Sequence, residues 1–127
     1  MYNPFNSAEQ NAVMHYVFLI ADADVDLNQS ERALITLLGK KFGMSQMSLT
    51  NAVCMSDSTA NATLSSMTEE KKHLAAALFI GAAMANGSMK AFRPEMDKCY
   101  EVLKKCNLPG DVKFTDANYI THRFVEE

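Results

Sequence analysis

A chain of 127 residues, 48% hydrophobic and 21% charged, has enough apolar material for a single domain to bury a core without disulfides or a structural metal, which excludes a disordered chain. Its net charge of −3 supplies no basic face to displace counterions from a phosphate backbone, so nucleic acid is excluded as a partner. The longest apolar run, Leu74 to Ala85, is twelve residues, too short to span a bilayer.

The opening Met1-Tyr2-Asn3-Pro4-Phe5 has neither the basic start nor the apolar run of a secretory signal. Ser7 is positioned to cap a first helix running through Ala12, Val13, Met14, Tyr16, Val17, Phe18, Leu19 and Ile20, apolar almost all round and therefore buried. Asn28 and Glu31 have the spacing of a capping box for a second helix with Leu34, Ile35, Leu38 and Phe42 on one face. Gly43 ends that helix, since glycine accepts the left-handed conformation.

Ser45 opens a third helix with Leu49, Ala52 and Val53 inward, and Ser56 to Ser66 reads as a loop or a short weak helix. Thr68 caps a small-residue helix, Leu74 to Ala85, suited to the centre of a bundle, and Asn86-Gly87 breaks it. Pro94 fits the first turn of the next helix, which carries Met96, Cys99, Tyr100, Leu103 and Cys106 at three- and four-residue steps. Asn107, Pro109 and Gly110 stop it, and Thr115 opens a last helix through Ala117, Ile120 and Phe124. No segment alternates with period two, so no strand is expected.

The chain repeats at an offset of 64 residues across 24 ungapped positions. Ala21-Asp22-Ala23 aligns with Ala85-Asn86-Gly87, Val25 with Met89, and Glu31 with Glu95. Ile35, Leu38 and Phe42 meet Cys99, Val102 and Cys106, and Gly43-Met44 meets Asn107-Leu108. Each copy reads as a buried helix, a polar corner, a second helix and a stop. The expected fold is an all-α, single-domain bundle over residues 1–127, built from two pseudo-repeated helical hairpins at about 8–44 and 72–108.

The first corner is acidic. Residues 1–39 hold Glu9, Asp22, Asp24, Asp26 and Glu31 against the single base Arg32. Alternating oxygen donors at Asp22, Asp24, Asp26 and Asn28 are how a loop wraps a hard cation. An EF-hand is rejected, because Leu27 stands where the sharp-turn glycine belongs and Ala33 where the bidentate glutamate belongs. Two readings remain: a looser cation site that relieves repulsion among three carboxylates, or a turn in which Asp26 or Asn28 caps the following helix.

These residues resemble the TerB-like family, named for bacterial tellurite-resistance proteins and related to the N-terminal domain of membrane-anchored DnaJ-type co-chaperones. The family pattern is roughly A-D-G-x-apolar-x-x-x-E, met here by Ala21-Asp22-Ala23-Asp24-Val25 leading to Glu31 and by Ala85-Asn86-Gly87-Ser88-Met89 leading to Glu95. This chain departs from it at Ala23, where the family has glycine, at Asn86, where it has aspartate, and in both glutamates, which fall two positions late. The resemblance implies a bundle of about seven helices and a divalent-cation site, for Ca2+ or Mg2+, drawn from Asp22, Asp24, Asp26, Glu31, Asn86 and Glu95. It further implies a non-enzymatic binding or scaffold module of a stress response, with a protein partner and a peripheral membrane complex. The alternative is a protein-interaction domain without metal.

Other chemistry finds no motif. His15, His73 and His122 lack zinc-ligand spacing, and neither a G-x-S-x-G nucleophile nor a glycine-rich phosphate loop occurs, so no catalytic residue is expected. The three cysteines, Cys54, Cys99 and Cys106, form no CxxC and read as reduced core thiols, giving an expected cytoplasmic location. The nine methionines are expected mainly in the core.

Overall fold

The computed structural model describes residues 3–21, 29–84 and 93–126. Seven α-helices occur among them, and no strand: α1 Ser7–Ala21, α2 Gln29–Phe42, α3 Gln46–Cys54, α4 Asp57–Ser65, α5 Glu69–Met84, α6 Arg93–Lys105 and α7 Phe114–Glu126. The chain is the expected all-α single-domain bundle.

Helix α1 begins with a reciprocal cap. The backbone N–H of Asn6 donates to Glu9 Oε1 and the N–H of Glu9 donates to Asn6 Oδ1, each at 2.9 Å. Asn6 therefore caps in place of the expected Ser7. The choice is tertiary: Glu9 is buried, and its carboxylate also accepts from Lys71 Nζ, at 2.9 Å on Oε1 and 3.3 Å on Oε2. That arrangement suits Glu9 as the third residue of α1 and makes its neighbour three places back the cap.

The same ion pair sets the direction of the central helices. Glu9 is in the first turn of α1 and Lys71 in the first turn of α5. Two turns further along each helix, the rings of Tyr16 and Phe79 meet edge to face with centroids 6.1 Å apart. Both contacts advance together, so α1 and α5 lie parallel and in nearly equal register. Their C-terminal residues, Ala21 and Met84, therefore reach the same end of the bundle.

The repeat is visible in the backbone. It shows in the ends of helices α2 and α6. Both end in the same left-handed stop, with Gly43 at φ 66° and Asn107 at φ 58°. The N–H of Met44 donates to the Gly39 carbonyl and that of Leu108 to the Leu103 carbonyl, each at 2.9 Å. The N–H groups of Gly43 and Asn107 reach back to Lys40 and Lys104 at 3.1 Å and 3.3 Å. One hydrogen-bond pattern thus recurs at the same offset, satisfying the last carbonyls of each helix.

Between the hairpins, α3 and α4 pack on α1. Ser45 caps α3 by accepting from the Ser48 N–H at 3.1 Å, and Ser56 caps α4 by accepting from Thr59 at 3.1 Å. The segment left open as loop or weak helix is helical because Ala60 and Leu64 are fully buried, and their packing outweighs the modest propensity of its serines and threonines. Val53 and Tyr100, expected inward, are 45% and 40% exposed. The last helix starts at Phe114, one residue before the expected Thr115.

Helix α7 lies closely along α5. Gly81 makes this possible: a Cβ built there would sit 2.8 Å from Thr121 Cβ and 3.0 Å from its Cγ2, closer than packed carbons tolerate. Thr121 Oγ1–H also donates to the Ala77 carbonyl at 3.1 Å, one turn from Gly81. Gly81→Ala gains about 1 kcal/mol of helix propensity and loses about 1–3 kcal/mol to overpacking. The expected result in urea unfolding is a net loss. A Gly81→Ala variant more stable than the wild type would refute the close approach.

Candidate functional site

Of the six residues expected around a cation, Asp22, Asp24, Asp26 and Asn86 lie outside the described residues, as do Asn28, Val25, Gly87 and Met89 of the two corners. Glu31 and Glu95 fall within α2 and α6, with side chains outside the described set. Among the described residues, no group of three His, Cys, Asp or Glu side chains is placed to hold a metal ion.

The described part contains a polar cluster that spacing did not reveal. His15 lies on α1 between apolar neighbours and is only 4% exposed. Its Nδ1 is 2.9 Å from the Ala52 carbonyl in the last turn of α3, and its Nε2 is 2.7 Å from Asp57 Oδ1 at the first residue of α4. A carbonyl oxygen only accepts, so Nδ1 carries a hydrogen. An imidazolium satisfies both oxygens, whereas a neutral ring satisfies one. The C-terminal end of α3 favours a cation and the N-terminal end of α4 favours the carboxylate, so both helix dipoles support this orientation. The hydrogen bond from His15, with the charges of His15, Lys98 and Lys105, holds the Asp57 carboxyl below its ordinary range.

One residue along α1, the Tyr16 hydroxyl donates to Asn61 Oδ1 on α4, and the Cys106 thiol donates to the same oxygen at 3.2 Å. Ser65 Oγ–H donates to the Cys106 carbonyl at 3.1 Å. Burial raises the Tyr16 phenol well above its usual range and pushes the Cys106 thiol up to about 11. Cys99 is pushed up to about 12 for the same reason. These thiols are protonated near neutral pH and are poor nucleophiles. All three cysteines are free; Cys99 and Cys106 are buried as expected, whereas Cys54, expected in the core, is exposed at the last residue of α3.

A histidine beside a shifted carboxylate is the usual signature of acid–base catalysis. Here both ring nitrogens are engaged, and neither His15 nor Asp57 lines either of the two described cavities. The cluster joins α1, α3, α4 and the end of α6; its evident work is to hold those elements together. One signal was available in sequence: a histidine in an otherwise apolar helical run must find buried partners. Asp57 and Asn61 gave no such signal, because they lie 42 and 45 residues from the α1 side chains they meet.

The larger cavity, about 350 Å³, lies between α2, α5 and α7. Its walls include Leu34, Leu37, Met84 and Val125, with Asn118 and His122 supplying polar groups. His122 Nδ1 is 3.7 Å from Glu126 one turn along α7, and both side chains are mostly exposed. A second, shallower groove of about 220 Å³ runs along α3 and Phe18.

No helix among the described residues is long and apolar enough to cross a membrane. No family model matches the chain, and no curated protein does. Among solved structures it is similar to the crystal structure of PG1108, a protein of unknown function from Porphyromonas gingivalis W83. The two share 20% identity with a TM-score of 0.74, over 96% of this chain and 99% of the other. At that identity the likeness establishes a shared helical fold from end to end.

Proposed function

We propose that this chain is a non-enzymatic, TerB-like binding or scaffold module of a stress response, with a weak divalent-cation site at its acidic corner. The observation that carries the reading is the parallel packing of α1 and α5, which brings the helix ends Ala21 and Met84 to one end of the bundle. Along the chain, Asp22, Asp24 and Asp26 follow Ala21 and Asn86 follows Met84, and these residues with Glu31 and Glu95 are the donors the reading invokes. Such donors suit Ca2+ or Mg2+, hard cations that take carboxylate and amide oxygens. The cation would neutralise the acids of the first corner and tie the two hairpins together.

Calcium titration followed by amide NMR tests this. The expected result is saturable movement of signals from Asp22 to Glu31, joined by Asn86 and Glu95, and its loss in the Asp22→Asn/Asp24→Asn/Asp26→Asn variant. Spectra unchanged at millimolar calcium and magnesium remove the cation and leave the second reading, a metal-free interaction domain. That reading is favoured by the apolar groove on α3 and the exposed Met47 and Val53 beside it.

A further inference from the structure

We propose that the cavity between α2, α5 and α7 binds a small, uncharged, mainly apolar molecule with a single hydroxyl head, a medium-chain alcohol in chemical class. Its volume, about 350 Å³, falls in the range of small-molecule sites. At roughly 30 Å³ for each water-sized group, it holds about a dozen non-hydrogen atoms. The lining is graded from floor to mouth. Gly81 and Thr121 are buried, and Leu34, Met84 and Val125 are half-buried. Ala33 and Leu37 of α2, with Asn118 and His122 of α7, are exposed and form the mouth.

Two observations carry the inference. The first is a difference between the halves of the molecule. The residues 64 places beyond Ala33, Leu34 and Leu37 are Asp97, Lys98 and Glu101 of α6. The same offset relates the buried Ile35 and Leu38 to the buried Cys99 and Val102, so the two trios occupy matching places on matching helices. On α6 this face is ionic, with Lys98 3.6 Å and Lys105 2.9 Å from Glu101. The fold therefore accepts charge at this face. Leu37, still 39% exposed, is not needed there to complete the core; it gives the cavity an apolar wall.

The second is the polar complement. No Lys, Arg, Asp or Glu lines the cavity, so an ionic ligand would lose water without meeting a counter-charge in the lining. The occupant is accordingly neutral. Asn118 and His122 are four residues apart on α7 and so lie side by side. The Asn118 amide both donates and accepts. His122 Nδ1 is 3.7 Å from Glu126, which leaves Nε2 as the ring atom available to a ligand. A hydroxyl both donates and accepts, so it satisfies this pair whether Nε2 carries a hydrogen or a lone pair. The apolar remainder of the ligand lies against Leu34, Leu37, Met84 and Val125.

Methyl-detected NMR titration with n-octanol, in chelator so that the cation plays no part, tests the proposal. Saturable movement of the Leu34, Leu37, Met84 and Val125 methyl signals is expected, with that of Leu49 and Val53 in the other groove unchanged. Octanoate and octylammonium are expected to bind at least about tenfold more weakly. Ala33→Trp fills the mouth and Leu37→Glu sets a charge on its rim. Both are at exposed positions and, with helical circular dichroism unchanged, are expected to weaken octanol binding at least about tenfold. Lys98→Glu, at the matching place on α6, is expected to bind like the wild type. Methyl signals that do not saturate overturn the proposal. So does octanoate or octylammonium binding as tightly as octanol, or octanol binding indifferent to both α2 variants.

Discussion

Phe124→Ala is expected to lower unfolding free energy by about 3–5 kcal/mol in urea denaturation. Phe124 is fully buried, and its ring meets Phe42 at a centroid distance of 5.8 Å and Phe5 at 6.2 Å. Phe5 and Phe42 close the triangle at 6.0 Å, edge to face. These three rings come from the segment before α1, the last residue of α2, and α7. Lys41 Nζ adds a cation over the Phe124 ring, 5.4 Å from its centroid. Truncation removes a large apolar side chain and leaves a void that backbone elements on three sides cannot collapse to fill. A domain of this size has roughly 5–15 kcal/mol in total, so the variant falls near the threshold of folding. Phe124→Leu, which keeps most of the volume, should lose clearly less. Hydrogen exchange should quicken first in α7 and in the last turn of α2. A loss below about 1 kcal/mol for Phe124→Ala would mean that the ring triangle does not fasten α7.

His15→Ala is expected to cost about 2–4 kcal/mol, while Asp57→Asn costs under about 1 kcal/mol. The contrast follows from burial. The Asp57 side chain is 61% exposed, so water replaces most of what it loses and screens the pair. The Ala52 carbonyl has no such recourse when the His15 ring is removed, and the space left by the imidazole adds a cavity term. Acid sharpens the test. The folded-state Asp57 carboxyl is held below its ordinary range, chiefly by the His15 hydrogen bond. Its contribution is therefore complete above the ordinary carboxylate pKa and is lost as pH falls through the folded value. Unfolding free energies at a series of acidic pH values should show a shallower decline for His15→Ala than for wild type. Parallel declines would show that the pair carries no proton linkage, and equal losses for the two substitutions would refute the assignment of the energy to the ring.

Much of this molecule was legible from local rules. The apolar run of α1, the serine caps of α3 and α4 and the matched stops at Gly43 and Asn107 depend on residues a few places apart, within reach of a single turn. The fold class and the 64-residue repeat follow from those signals, since each copy carries its own corner and stop. The proposed cation site rests on donor chemistry, because alternating acids name a ligand set without saying whether their oxygens converge.

What tertiary structure decided involves distant partners. Asn6, and not Ser7, caps α1 because Glu9 is also bound to Lys71, 62 residues away. Val53 and Tyr100 obey helical spacing yet face outward, since periodicity marks an apolar stripe without saying how many neighbours will cover it. The α4 segment mixes two alanines and a leucine with weaker serines, threonines and an asparagine, and is helical because α1 offers a surface to Ala60 and Leu64. His15 meets Asp57 only once α1, α3 and α4 have packed. Backbone sterics and capping act within one turn and can be read along the chain. Burial and pairing act across space, where the folded chain selects the partners.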